Sequence, residues 1–511
     1  MGPLHQSRRA FIKTVAGATG VLAMSPELPS QSDASLIVDP NPRFGLSPYL
    51  HMQFMEPLGT TDGSVAAAWD FGRDCWREDV VETTRELGPT MLRWGGCLAS
   101  YYRWKEAVGP RDRRTPMLNL CWGGVETNQV GTHEFLDFSR QVGAEPLICV
   151  NFESDGKSYF ARSPKGDGRS AGPEEGAEWV RYCNDPDSPL RKRHGHDRPY
   201  DVRFWQLGNE TSYGQDLFDL DGAIRRTIAF AKAMHREDPH IKLIGWGDSG
   251  WAPRMIEAAG EHLDYVAFHH MFNPDEGVAD SPLQGIEYRK DPALTWERLM
   301  RAQEVHAARI GSAVEEIADY DMPLAMTECH LALPGRNRCE VLSTWAAGVA
   351  NARLLNVHER FGDRLKIATA ADFCGTRWQV NAVVIPVPGG RAFMMPVALV
   401  MCLYRHHTGE EALSVEQAPE GLDVTASRTG DRLFLHAVNT RRQQSITATL
   451  AAPGLRLTSG RLFELAADPE FEVFETQARE IVPRERAWPA SNRWTFPPAS
   501  VSAVELDTAE T

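Results

Sequence analysis

Between residues 40 and 407, short strand-like runs alternate with amphipathic helical runs, and this alternation limits the available folds more than any other feature of the chain. The runs "YLHMQFME", "TMLRWGG", "EPLICVNFE", "VRFWQLGNE", "IKLIGWG", "DYVAFHHMF", "MPLAMTECH" and "LKIATAADF" are apolar and β-prone. Each is followed by a helical pattern. "CWREDVVETTRELG" closes on Gly88, "GTHEFLDFSRQVG" is expected to be capped by Thr132, and "GPEEGAEWVRYC" has Pro173 near its start. In "LDGAIRRTIAFAKAMHRED", Ile224, Ile228, Ala231 and Met234 share one face; later helices are expected over 253–262 and 293–318. Eight such units imply an α/β chain folded as a (β/α)8 TIM barrel, a fold that spans from about 200 to over 400 residues. A doubly wound open sheet is the main competitor, but no G-x-G-x-x-G follows the first strand. The apolar run Phe393–Tyr404 is too short to span a bilayer and reads as a buried helix.

After His407 the texture changes to short alternating stretches, "LDVTAS", "RLFLHAVN", "SITATL" and "SVSAVEL", separated by Gly, Pro and Asn turns. Residues 408–511 are therefore expected to form a C-terminal β-sandwich, and "ASLIVD" at 34–39 could add a strand to it. The barrel takes 40–407. Residues 1–30 carry Ser7-Arg-Arg-x-Phe-Ile-Lys13 before a short apolar run, the pattern of a twin-arginine export signal, which predicts a periplasmic or extracellular location. The run "RKRHGHDR" at 191–198 is expected to be a solvated insertion.

A net charge of −15 disfavours nucleic acid and anionic membranes as partners. The nine cysteines contain no C-x-x-C pair, so a structural zinc site has no support, and most of them sit in apolar runs that suit a core.

In a barrel the chemistry sits at the C-terminal ends of the strands. Residues ending the strand-like runs include Glu56, Arg93, Glu153, Asn209, Glu210, Asp248, His269, His270, Glu328 and Asp372. Glu210 closes the fourth run and Glu328 the seventh, so the two acids can face each other across the mouth. Opposed carboxyl groups about 5 to 5.5 Å apart are what retaining glycoside hydrolysis requires, one as proton donor with a raised pKa and one as ionised nucleophile.

The ordered series "FMEPLG", "LRWGGCLASYYRWKEAVGPRDRR", "WGGVETNQVGTHEFLDFSRQVGAEPLICVN", "EWVRYCN", "FWQLGNE", "MTECH" and "SVSAVEL" resembles the α-L-arabinofuranosidases of glycoside hydrolase family 51, over nearly everything after residue 40. The resemblance implies Glu210 as general acid/base, Glu328 as nucleophile and Asn209 as a contact to the sugar 2-hydroxyl. It implies a subsite contact for Glu56 and an orienting role for Arg93. Cys97, Asn151, Trp205, His270 and Trp378 are assigned to the pocket, with core packing an equal account of Trp205 and Trp378. "FHHMF" lacks the tyrosine that the family places after strand six, and "TEC" replaces the "DEW" around the family nucleophile.

The expected function is thus a metal-independent, cofactor-free retaining glycosidase that removes terminal α-L-arabinofuranosyl units from plant-type poly- or oligosaccharides. The resemblance also implies assembly of identical copies. An endo-β-glucanase or xylosidase on the same scaffold, or a secreted carbohydrate-binding protein without turnover, are the alternatives.

Overall fold

The computed structural model describes residues 34–162, 168–214 and 216–510; the expected signal segment at 1–30 lies outside them. Eight parallel units close into a barrel. In order, the strands are Met52–Met55, Met91–Trp94, Glu145–Val150, Phe204–Leu207, Lys242–Trp246, Tyr265–Phe272 and Leu324–Leu331, followed by an eighth that is split into Leu365–Ala368 and Asp372–Gly375. The first half of the split strand pairs with strand seven, Leu324 opposite Leu365, and the second pairs with strand one, Asp372 opposite Phe54, so the break closes the ring. Strands one, two, four and seven are buried along their whole length, as parallel strands covered by helices must be.

The helices follow the amphipathic patterns with local differences. Gly88 ends the helix Glu78–Leu87 in the left-handed conformation. Thr132 is not a cap: the cap is Gly131, whose N–H is taken by the Glu134 carboxylate at 2.8 Å, which makes Thr132 the first helical residue. The stretch 293–318 is two helices, Pro292–Met300 and Ala302–Glu316. The 191–198 run is not simply solvated. Arg191 is fully buried and donates to the carbonyls of Tyr182, Pro186 and His196, tying the insertion down.

A nine-stranded sheet forms the second domain, a β-sandwich around its own apolar core of Leu36, Val38, Leu435, Leu450, Leu462 and Val504 among others. The strand Ala34–Gly45 belongs to this sheet, antiparallel to Glu411–Gln417 and parallel to Ile446–Ala451. The helix Trp345–Arg360 joins the two domains. Trp345 Nε1 donates to the Ala499 carbonyl at 2.6 Å, and Glu359 accepts from His436 at 2.8 Å. Among the described residues no helix is long and apolar enough to cross a membrane.

Candidate active site

Arg93, on strand two, is completely buried beneath the barrel mouth. An unpaired guanidinium could not persist there, and it spends its donors on three acceptors: Gln206 Oε1 at 2.9 Å, Glu328 Oε1 at 2.7 Å and Asn209 Oδ1 at 2.7 Å. Because a guanidinium only donates, it fixes the Asn209 amide with its oxygen inward. The Asn209 Nδ2 is left buried without a partner among the described residues, free to donate to a ligand.

Strand four stops at Leu207. Gly208, at a φ of 79°, turns the chain, and Glu210 itself adopts a left-handed φ of 54°. Such a conformation is uncommon for a residue with a side chain and clusters at functional sites. Glu328 lies inside strand seven, which runs on to Leu331. Next to it the pairing with strand six slips by one residue: Phe268 faces Met326 but His269 faces Glu328. The bulge brings His269 between the two acids, its Nδ1 3.1 Å from Glu210 Oε1 and 3.8 Å from Glu328 Oε2, with Nε2 held 3.0 Å from Thr327 Oγ1. Glu210, His269 and Glu328 each offer one ligand-type atom, and these atoms lie within 4.8 Å of one another. The carboxylates face each other across that gap.

A cavity of about 210 Å³ opens over them, lined by Glu56, Cys97, Trp122, Glu210, Met271, Glu328, His330, Arg338, Asp372, Trp378 and Asn381, with Phe54, Leu58, Phe373 and Cys374 completing the wall. Glu56 Oε1 accepts from Trp122 Nε1 at 2.8 Å and from the Leu98 N–H at 3.1 Å. Burial first, and the charge of Glu328 second, push the Glu56 carboxyl well above its ordinary value. For Glu210 burial also pushes upward, but the hydrogen bond and charge of His269, with Lys157 and Arg93, outweigh it and hold the carboxyl below its ordinary value. The free site therefore does not carry the raised proton donor expected from the sequence. The physical reason is His269, an inward partner that the strand reading had not joined to Glu210.

Of the other expected site residues, Cys97 and Trp378 line the cavity. Three do not reach it. His270 faces outward, as alternation from the inward His269 demands, and its Nδ1 lies 2.9 Å from His306 Nδ1 on the covering helix. Trp205 also faces outward, away from the inward Gln206; its Nε1 donates to the Val202 carbonyl and its ring packs edge-on against Trp179. Asn151 braces a loop, donating to the carbonyls of Tyr102 and Arg169 and accepting from Ser154 and Ala171 N–H. Of the remaining rim acids, Glu153 pairs with Arg226 and Asp248 with Arg309. Gln206, Trp122, His330 and Arg338 were missed. Alternation along strands four and seven would have found Gln206 and His330; Trp122 and Arg338 come from loops that carry no period.

A closed (β/α)8 barrel with two carboxylates opposed across its mouth is the architecture of the barrel glycoside hydrolases. Residues 83–290 match a family model described as the alpha-L-arabinofuranosidase 1 domain. An intracellular exo-α-(1→5)-L-arabinofuranosidase of Streptomyces lividans is 31% identical over 80% of this chain and 64% of its own length. The intracellular exo-α-(1→5)-L-arabinofuranosidase 1 of Bacillus subtilis is 28% identical over 63% of this chain and 65% of its own length. The matched region thus spans just under two thirds of each of these relatives. A solved family 51 α-L-arabinofuranosidase from Bifidobacterium longum superposes with a TM-score of 0.77 at 20% identity, covering 93% of this chain and 100% of that one, a likeness of fold. The chain is similar in sequence to α-L-arabinofuranosidases and in fold to those of glycoside hydrolase family 51. The expectation of export is corrected by the same comparison: both of these relatives are named as intracellular enzymes, which points away from an exported location.

Proposed function

We propose that the protein is a retaining, exo-acting α-L-arabinofuranosidase working by double displacement, with Glu328 as nucleophile and Glu210 as acid/base. The observation that carries this reading is the pair of carboxylates within 4.8 Å of each other over a cavity of about 210 Å³, sized for roughly one sugar ring. Glu328 Oε1 is held by Arg93, so Oε2 is the oxygen left to attack the anomeric carbon. Arg93 keeps that carboxylate aimed, and Asn209 Nδ2 is placed to donate to a hydroxyl beside the reacting carbon.

The donor proton must come to Glu210 when the site fills. A bound sugar strips water from the carboxyl and strengthens the upward push of burial against the pull of His269. Once Glu328 is esterified its negative charge is gone, Glu210 becomes more acidic, and it serves as base for the incoming water.

Hydrolysis of 4-nitrophenyl α-L-arabinofuranoside tests the reading. Glu328→Ala is expected to abolish turnover. Glu210→Ala should lower kcat by about 10²- to 10⁴-fold on sugars with poor leaving groups, and by less on the nitrophenyl glycoside, whose leaving group needs little protonation. Wild type that binds arabinose but does not hydrolyse the glycoside would overturn it in favour of a binding protein.

A further inference from the structure

The loop after strand seven holds three consecutive residues, Asn337, Arg338 and Cys339, at φ of 53°, 62° and 71°. None is glycine, and a run of left-handed residues with side chains persists only where its surroundings hold it. Here the Asn337 carbonyl accepts from Gln379 N–H at 2.7 Å, the Asn337 side chain accepts from Arg377 Nε at 3.2 Å, and the Cys339 thiol donates to the Leu283 carbonyl at 3.4 Å. The result is to turn Arg338 inward over the cavity, its guanidinium 4.3 Å from the centre of the Trp378 ring.

Arg338 makes no ion pair or side-chain hydrogen bond with any described residue. Stacking uses the face of the guanidinium and leaves its edge, where the N–H donors lie, unspent. His330, two residues beyond Glu328, lines the same cavity. Its Nδ1 is 2.6 Å from Asp372 Oδ1, but the angles do not suit a hydrogen bond, and both ring nitrogens lack such a partner among the described residues. Arg338 thus faces the ligand space with donors to spare, whereas His330 lies against the Asp372 carboxylate.

We propose that Arg338 forms a carboxylate subsite, so that the preferred substrate carries a uronic acid next to the arabinofuranosyl unit it loses. This rests on the proposed glycosidase reading and adds its substrate class. Neutral hydroxyls are served by any polar group, whereas the planar fork of a guanidinium matches a carboxylate with two parallel hydrogen bonds. Glu210, Glu328 and Asp372 line the same cavity and disfavour an anion beside them. Arg338 lies seven residues past the end of strand seven at Leu331, on a loop at the mouth, where the second sugar would sit while the first is held against Glu328.

The test uses the full chain as Glu328→Gln, which holds substrate without turnover. Calorimetry compares two disaccharides, α-L-arabinofuranose linked to D-galacturonate and the same sugar linked to D-galactose. The acidic one is expected to bind about tenfold more tightly, with the preference shrinking between about 50 and about 500 mM salt. Adding Arg338→Gln should erase the preference by costing the acidic disaccharide more affinity than the neutral one, while Arg338→Lys keeps part of it. Equal affinity for the two sugars, or a preference that survives Arg338→Gln, overturns the subsite. Turnover of 4-nitrophenyl α-L-arabinofuranoside by wild type separates the two ideas. Hydrolysis without acid preference removes only the subsite, and acid preference without hydrolysis removes only the glycosidase reading.

Discussion

Arg93 sets three neighbours at once because it is a buried cation with no solvent to fall back on. Gln206, Asn209 and Glu328 must all turn acceptors toward it, which is why the Glu328 carboxylate and the Asn209 amide point where they do. Glu56 illustrates the opposite case, an acid whose carboxyl burial pushes well above its ordinary value. A carboxyl with a raised folded-state pKa stabilises the fold fully below its unfolded pKa and loses that contribution as pH climbs through the folded value. Glu56→Gln imitates the neutral form and cannot ionise. Its melting temperature should therefore gain on wild type steadily from about pH 5 to about pH 8, a widening gap that calorimetry can follow. KM should stay within about threefold for Glu56→Gln and rise by about tenfold for Glu56→Ala, which also strands Trp122 Nε1. A gap that stays flat from about pH 5 to about pH 8 would mean that burial does not raise Glu56. At this scale the two acids and Asn209 were readable from their position after apolar runs. The contact of His269 with Glu210, the role of Arg338 and the outward turn of His270 were not, since they depend on a one-residue slip and on a loop.

Among the elements, the turn after strand four does the most to shape the site. Gly208 has a φ of 79°, and a Cβ there would come within 2.7 Å of Phe152 Cβ and 2.8 Å of Asp155 Oδ1. Both backbone conformation and space therefore call for glycine. Gly208→Ala is expected to cost about 2–4 kcal/mol, read as a lower urea midpoint with unchanged slope, and to cut kcat/KM because Asn209 and Glu210 follow directly. An unchanged midpoint would show that the turn relaxes freely. The bulge between strands six and seven is the second shaping device, since without it His269 would face Thr327, not Glu328. The strand and helix periods identify the eight units, but neither bulges nor positive-φ turns leave a periodic signal. Gly131 displaces Thr132 as a cap for a similar reason: the capping partner is the Glu134 side chain, which is visible only once the turn is formed.

In the whole molecule, the barrel and the C-terminal sheet are joined by charge as well as by packing. Asp423, on the strand Leu422–Thr429, accepts from Arg353 Nε at 2.9 Å and from Asn356 Nδ2 at 3.1 Å, and also pairs with Arg360. Burial would raise its carboxyl, but Arg360 and Arg353 outweigh that and hold it below the ordinary value. A depressed acid contributes stability above its unfolded pKa and loses it as pH falls through the folded one, so this junction should weaken in acid below about pH 4. Asp423→Ala should cost about 2–3 kcal/mol, discounted because Arg360 is part exposed, and should split one calorimetric transition into two. A single transition at an unchanged temperature would show that packing alone joins the domains. The residue order by itself determined the eight-unit barrel, the β-rich C-terminal region and the strand positions of the paired acids, because local hydrophobic period and strand-end chemistry need no distant partner. Only the tertiary structure decided which neighbour of each strand faces inward, how far apart the acids stand and which cation holds each of them. Those are set by register, closure and burial among residues as far apart in the chain as Phe54 and Asp372.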